Sequence, residues 1–403
     1  MGCAASKAAP EARTDLDATD VALSMEQDSE MNKADALAEA VEMEKSSRVV
    51  GWGASCRSCT GYYQKEKAQA IVHKALRLTQ DFPHPMVLCN ASEFILEGRL
   101  RPHEELRDEN KLTYLDITAD IVAFKEHNHI AFMSHQWLGF ETPDPQGAHY
   151  EAICGAVHTI AAACQLPLER VYLWVDFASM PQRNKGASRS TVLKSLPAYA
   201  ALAHCMVVIA PPATHGNLGQ PCSVASYRLR GWCRVELLAK ICGSGRKDMW
   251  LVESADGAFT PINATDDEWL TEAIHVFDGQ FSCCRFGTSV KCDREYLVLP
   301  VLGLYHEMLQ MRDTNKDMAP FVAPFVETIE REKASLFPAS FTFTHEHAGP
   351  VHRPGEKRVL FGGLIAEVER CHGQELAARN EAACRIQARA RGMSMRSRRH
   401  GPV

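Results

Sequence analysis

Residues Tyr172–Gln182 read Tyr-Leu-Trp-Val-Asp-Phe-Ala-Ser-Met-Pro-Gln: an apolar run stops at an aspartate and a turn follows at once. Ile130–Trp137 (Ile-Ala-Phe-Met-Ser-His-Gln-Trp) does the same and stops at Ser-His. Tyr227–Leu237 (Tyr-Arg-Leu-Arg-Gly-Trp-Cys-Arg-Val-Glu-Leu) opens a helix. Around these blocks four short apolar runs recur, at 130–133, 171–175, 205–210 and 249–252. None alternates polar and apolar residues, which is the habit of strands covered on both faces. Successive runs are far enough apart for helical crossovers. Helices are expected over 150–165, over 191–204 with a break at Pro197, and over 230–243 with a stop at Gly243. The pattern predicts an α/β fold with an open parallel sheet. In such sheets ligands bind outside the carboxyl ends of the strands. Ser134, His135 and Asp176 are therefore expected on one rim, together with the helix that carries Trp232, Cys233 and Glu236.

The bulk composition bounds the class. The chain has 403 residues, 46% hydrophobic and 23% charged, which are the proportions of a soluble globular protein. A formal net charge of -6 argues against nonspecific nucleic-acid binding by the whole chain. No run of about 18 apolar residues predicts a membrane span, and no apolar secretory segment opens the chain. The 15 cysteines are an odd number. Cys154, Cys164, Cys205, Cys233 and Cys242 fall in expected core elements, as reduced, buried cysteines of a cytosolic protein do.

Three blocks carry a resemblance. Ser134-His135-Gln136-Trp137, then Trp174-Val175-Asp176 through Ser179-Met180-Pro181-Gln182, then Gly231-Trp232-Cys233-Arg234-Val235-Glu236-Leu237 resemble, in order, the TIR-like superfamily and its heterokaryon-incompatibility-like (HET) branch. The likeness covers about residues 128–255. It implies a flavodoxin-like sheet and signalling by self-association as a homo-oligomer. In some members it also implies hydrolysis of NAD at the nicotinamide–ribose bond. The catalytic glutamate of the Trp-Cys-x-x-Glu helix carries over to Glu236, with Ser134, His135, Asp176 and Trp232 as the residues that would contact NAD. A carboxylate suits that chemistry, because loss of nicotinamide leaves an oxocarbenium-like centre. NAD would be a substrate, and no tightly held cofactor is implied.

Plainer roles stand beside these. Glu236 and Lys240 have the spacing of a surface ion pair, and Glu236 also suits a helix N-terminal dipole. Asp176 can cap the turn that follows it, and His135 can be a structural rim residue. Trp137, Trp174 and Trp232 suit a core. No phosphate-cradling glycine loop follows the first strand.

The two ends read as addresses. Met1-Gly2-Cys3-Ala4-Ala5-Ser6-Lys7 fits N-myristoylation at Gly2, with Cys3 placed for palmitate. Two acyl chains anchor where one binds marginally. The expected location is the cytosolic face of a membrane, the plasma membrane in particular. At the other end, Arg385–Arg396 resembles a complete IQ motif, the segment gripped by calmodulin and related EF-hand proteins. The matching positions are Ile386, Gln387, Arg391, Gly392 and Arg396. Six arginines and no acid lie between Arg385 and Arg399. The alternative partner for such a tail is anionic lipid.

The expected organisation is a tether at 1–48, a mostly helical flank at 60–127, the α/β domain at 128–255, a folded extension at 256–355 and a helical tail at 356–403. Cys56-x-x-Cys59 has no second pair for zinc. Cys283, Cys284 and Cys292, with His345, Glu346, His347 and His352, could bind zinc only if folding joined them. Asp313–Asp317 starts like a calcium loop but lacks its glycine and final glutamate. No metal is expected.

Overall fold

Four apolar runs that the sequence marks as strand interior form the middle of one sheet. In the computed structural model the four expected runs are β3 (His129–His135), β4 (Val171–Val175), β5 (Cys205–Ile209) and β8 (Met249–Val252), all parallel. The structure describes residues 57–78, 83–183, 187–245, 248–262, 267–281, 292–317, 319–344 and 353–399. Residues 57–403 form one compact unit.

In chain order the elements begin with α1 (Arg57–Leu78), β1 (Met86–Asn90), α2 (Ala91–Leu96), α3 (His103–Asp108), β2 (Leu112–Leu115), α4 (Thr118–Lys125) and β3. Then come α5 (Ala148–Cys164), β4, α6 (Asp176–Ser179), α7 (Ala187–Leu202), β5, β6 (Ala213–Thr214), β7 (Pro221–Cys222), α8 (Val224–Arg228), α9 (Gly231–Ser244), β8 and β9 (Thr260–Pro261). The last are α10 (Asp267–Ile274), α11 (Asp293–Thr314), α12 (Ala319–Leu336), β10 (Ser340–Thr342), β11 (Lys357–Val359) and α13 (Leu364–Arg399).

The sheet has seven strands in the order β2-β1-β4-β3-β5-β8-β9. It is mixed rather than wholly parallel, because β1 and β2 pair antiparallel at one edge and β9 at the other. The 60–127 flank is thus not only helical. It supplies two strands, so the sheet crosses the expected domain boundary at residue 128. The short run Met86-Val87-Leu88-Cys89 is fully or almost fully buried, and its neighbour β2 completes the edge.

Side chains of successive strand residues point to opposite faces. Ile130, Phe132 and Trp174 enter an apolar layer with α7, α9 and α11, whereas Ala131, Met133 and Val175 enter one with α5. Phe132 and Trp174 stack with centroids 4.3 Å apart, a contact that adds about 1 kcal/mol beyond burial.

Two helix expectations change. α7 runs through Pro197 without ending. An interior proline costs about 3 kcal/mol, but Leu196, Tyr199 and Ala200 are buried around it, and each large apolar side chain so buried returns roughly 1.5–3 kcal/mol. α9 does not stop at Gly243. It ends at Ser244, and Gly245 follows at φ 67° and ψ -161°, a backbone conformation open to glycine. Gly243 serves close packing instead, since a Cβ there would lie 2.3 Å from the Ala201 carbonyl oxygen on α7.

The 256–355 extension joins the layer of α7 and α9 through Trp269, Phe277, Phe281, Leu297 and Tyr305. Its anchor is Arg294, buried between the rings of Phe281 (4.7 Å) and Phe341 (4.2 Å), with its guanidinium donating to the Phe277 and Gly279 carbonyls. Of the cysteines expected to be buried, Cys205, Cys233 and Cys242 are, Cys154 is half-buried and Cys164 is exposed at the end of α5. Among the described residues no helix is long and apolar enough to cross a membrane.

Candidate functional site

The end of β3 carries two polar side chains in succession, and alternation sends them to opposite faces. Ser134 follows Phe132 toward α9, and His135 follows Met133 toward α5. The strand ends therefore form two clusters, one on each face, instead of a single convergent set.

On the α9 face, the Tyr227 hydroxyl (end of α8) donates to Ser134 Oγ at 2.6 Å, and Ser134 in turn donates to the Glu236 carboxyl. A hydroxyl has one proton, so this order follows once Ser134 donates onward. All three side chains are buried. Burial pushes the Glu236 carboxyl up to about 8, against the opposing Ser134 hydrogen bond; the negative Asp176 pushes it further in the same direction. Glu236 is a neutral acid at pH 7, sealed from solvent. The expected Glu236–Lys240 surface pair does not form. Lys240 is fully buried and donates to the Ala203 and His204 carbonyls at 2.7 and 3.0 Å, beyond the C-terminus of α7.

On the α5 face, His135 Nε2 lies 2.9 Å from Asp176 Oδ1, and Trp137 Nε1 donates to Asp176 Oδ2 at 2.6 Å. The Phe177 amide also donates to Oδ1, at 2.6 Å, so Asp176, the first residue of α6, binds the backbone of that turn as well as His135 and Trp137. Burial disfavours both charges, yet the pair holds His135 above the usual imidazole value and Asp176 below the usual carboxylate value. The carboxylate of Asp176 thus favours the charged form of His135. Its Nδ1 faces His149 Nδ1 at 3.1 Å. Burial holds His149 well below the ordinary value, so it is neutral. The remaining His149 nitrogen, Nε2, is buried without a hydrogen-bond partner.

The loops after β3 and β5 cover the rim. The Gly216 amide donates to Leu138 O at 2.7 Å, the Phe140 amide to Asn217 Oδ1 at 2.8 Å, and Gln136 Nε2 to Ser226 Oγ at 2.8 Å. Trp232 is not part of this rim. Its Nε1 donates to Asp293 Oδ2 at 3.0 Å and its ring packs edge-on against Phe281. Ser134 and Glu236 are brought together on one face of this sheet end, and His135 and Asp176 on the other; Trp232 joins neither pair. Tyr227 and His149 have roles that no motif announced. The signal was only a polar residue on the apolar side of a helix.

The C-terminal helix α13 has two parts. Ile365, Val368 and Cys371 are buried against the body. From Ala377 to Gln387 every residue is exposed, Ile386 at 69%. Arg391, Gly392 and Arg396 lie in the same helix, with side chains outside the described set. Gly2 and Cys3 lie outside the described residues, as do Cys56, Cys283, Cys284, His345, Glu346, His347 and His352. Cys292 is buried, and no three metal-ligating side chains cluster among the described residues. Compared with known proteins, the chain matches no family model, no curated protein and no solved structure.

Proposed function

We propose that this chain is a TIR/HET-like signalling module, held at the cytosolic face of the plasma membrane by acyl groups on Gly2 and Cys3. In this reading a calmodulin-type EF-hand protein grips its C-terminal helix. The observation that carries the proposal is α13 itself: one helix, anchored at its start, that leaves the body with Ile386 and Gln387 bare. Such a partner closes a Met-rich groove on an amphipathic helix, and a preformed helix lowers the ordering cost of that step. The family assignment draws support from the parallel strands, whose order reads 2-1-3-4 in chain sequence, as in flavodoxin-like sheets. The rim loops would serve self-association or a protein partner.

A second reading is NAD hydrolysis by Glu236. The observation in its favour is a carboxyl with a strongly raised pKa at a strand-end cluster. Against it, the carboxyl is sealed by Ser134 and Tyr227, and only an opened rim would admit a nicotinamide ring. Full-length protein at high concentration, incubated with NAD, separates the two. The interaction reading expects no nicotinamide release. Release that vanishes in Glu236→Ala would establish the enzyme.

A further inference from the structure

The base of α13 lies on α11 through an unusual set of side chains. His306 on α11 and His372 on α13 meet edge to face, with ring centroids 5.8 Å apart, and both are buried. His372 Nε2 lies 2.7 Å from Asp313 Oδ2. His306 Nε2 lies 3.3 Å from Glu375 Oε2, but at an angle that makes no hydrogen bond. Both nitrogens of His306 and Nδ1 of His372 are buried without a hydrogen-bond partner. An imidazolium has two N–H donors to satisfy, and a carboxylate stands near only one nitrogen of each ring, Nε2, while Nδ1 faces no acceptor.

We infer that this histidine pair is a proton-sensitive latch: it holds the first turns of α13 on α11 while His306 is uncharged, and lets them loosen when His306 takes a proton. The charged groups around it come from both helices. Glu307, Arg312 and Asp313 stand on α11, and Glu369, Arg370, Glu375 and Arg379 on α13. On α12, Glu330 and Lys333 pair with Tyr305 and Glu369 nearby. The ionisable side chains of α1 at 66–77, which packs on both helices, are exposed. Burial holds His306 below its ordinary value of 6.5, while Glu375 and Glu307 oppose the shift and His372 adds to it. A lowered folded-state value gives docking strength that is full above about 6.5 and is lost as pH falls through the folded value. The latch needs no partner protein, so it stands apart from the proposal about EF-hand binding.

Hydrogen–deuterium exchange of the full chain tests it, read as protection factors at pH 7.5 and 5.5. Amides of 365–379 should lose protection severalfold at the lower pH while those of α5 lose less. His306→Gln should flatten the difference. Glu375→Gln removes the carboxylate that favours the proton on docked His306, so it should deepen the loss of protection at acidic pH. Equal loss in α5 and α13, or no loss, would overturn the inference, as would a loss that is not deepened in Glu375→Gln. The last readout serves even if His306→Gln does not fold.

Discussion

Glu236 has one property that a glutamate on an exposed helix would lack: it stays protonated near neutral pH because burial disfavours its charge. Its folded-state value of about 8 lies above its ordinary value of 4.5. The stability it contributes is therefore full below 4.5 and is lost as pH rises through about 8. Glu236→Gln keeps an acceptor for Ser134 and never ionises. The variant should match wild type in urea unfolding at pH 4 and become more stable than it above pH 8, by at most about 5 kcal/mol. Equal pH dependence in the two proteins would show that the carboxyl is hydrated. The same residue shows the limit of spacing arguments. Glu236 and Lys240 are correctly spaced for an ion pair, yet each turns inward to a partner far away in sequence, Ser134 for one and the Ala203 and His204 carbonyls for the other. Only the fold reveals such partners.

Elements were legible where burial on both faces wrote continuous apolar runs. All four expected parallel strands formed, because Ile130–Met133 and its counterparts have no polar face to give away. β1 and β2 were missed because short apolar runs such as Met86–Cys89 cannot be told from buried helix segments by periodicity alone. Helix ends were misjudged where tertiary packing outweighs local preference. Pro197 does not break α7, and Gly243 does not stop α9. Gly243 is needed for the close approach of α7 and α9. Gly243→Ala gains at most about 1 kcal/mol of helix propensity but puts a methyl 2.3 Å from the Ala201 carbonyl oxygen. Thermal unfolding should show a net loss of roughly 1–3 kcal/mol, the cost of overpacking. A stabilised variant would mean that the two helices separate freely.

At the scale of the whole molecule, a body with a sealed polar rim carries a helix that begins docked and is bare over residues 377–387. The site was half legible. Strand ends named Ser134, His135 and Asp176, but alternation along β3 divides them between two faces, and Tyr227 and His149 emerged only from packing. Arg294 was invisible for the same reason, since nothing in its neighbours foretells two aromatic faces and two carbonyls. If the N-terminus is acylated, Gly2→Ala should move the full chain from the membrane to the soluble fraction of fractionated cells; unchanged retention would remove the anchor. The central claim is that the bare end of α13 is the docking element. Its most direct test is calorimetric titration of the full chain with calmodulin, with and without calcium, beside an Ile386→Glu variant. The account predicts a complex of micromolar or tighter affinity in at least one condition, weakened at least tenfold by the substitution. No binding in either condition, or equal binding by the variant, would contradict it.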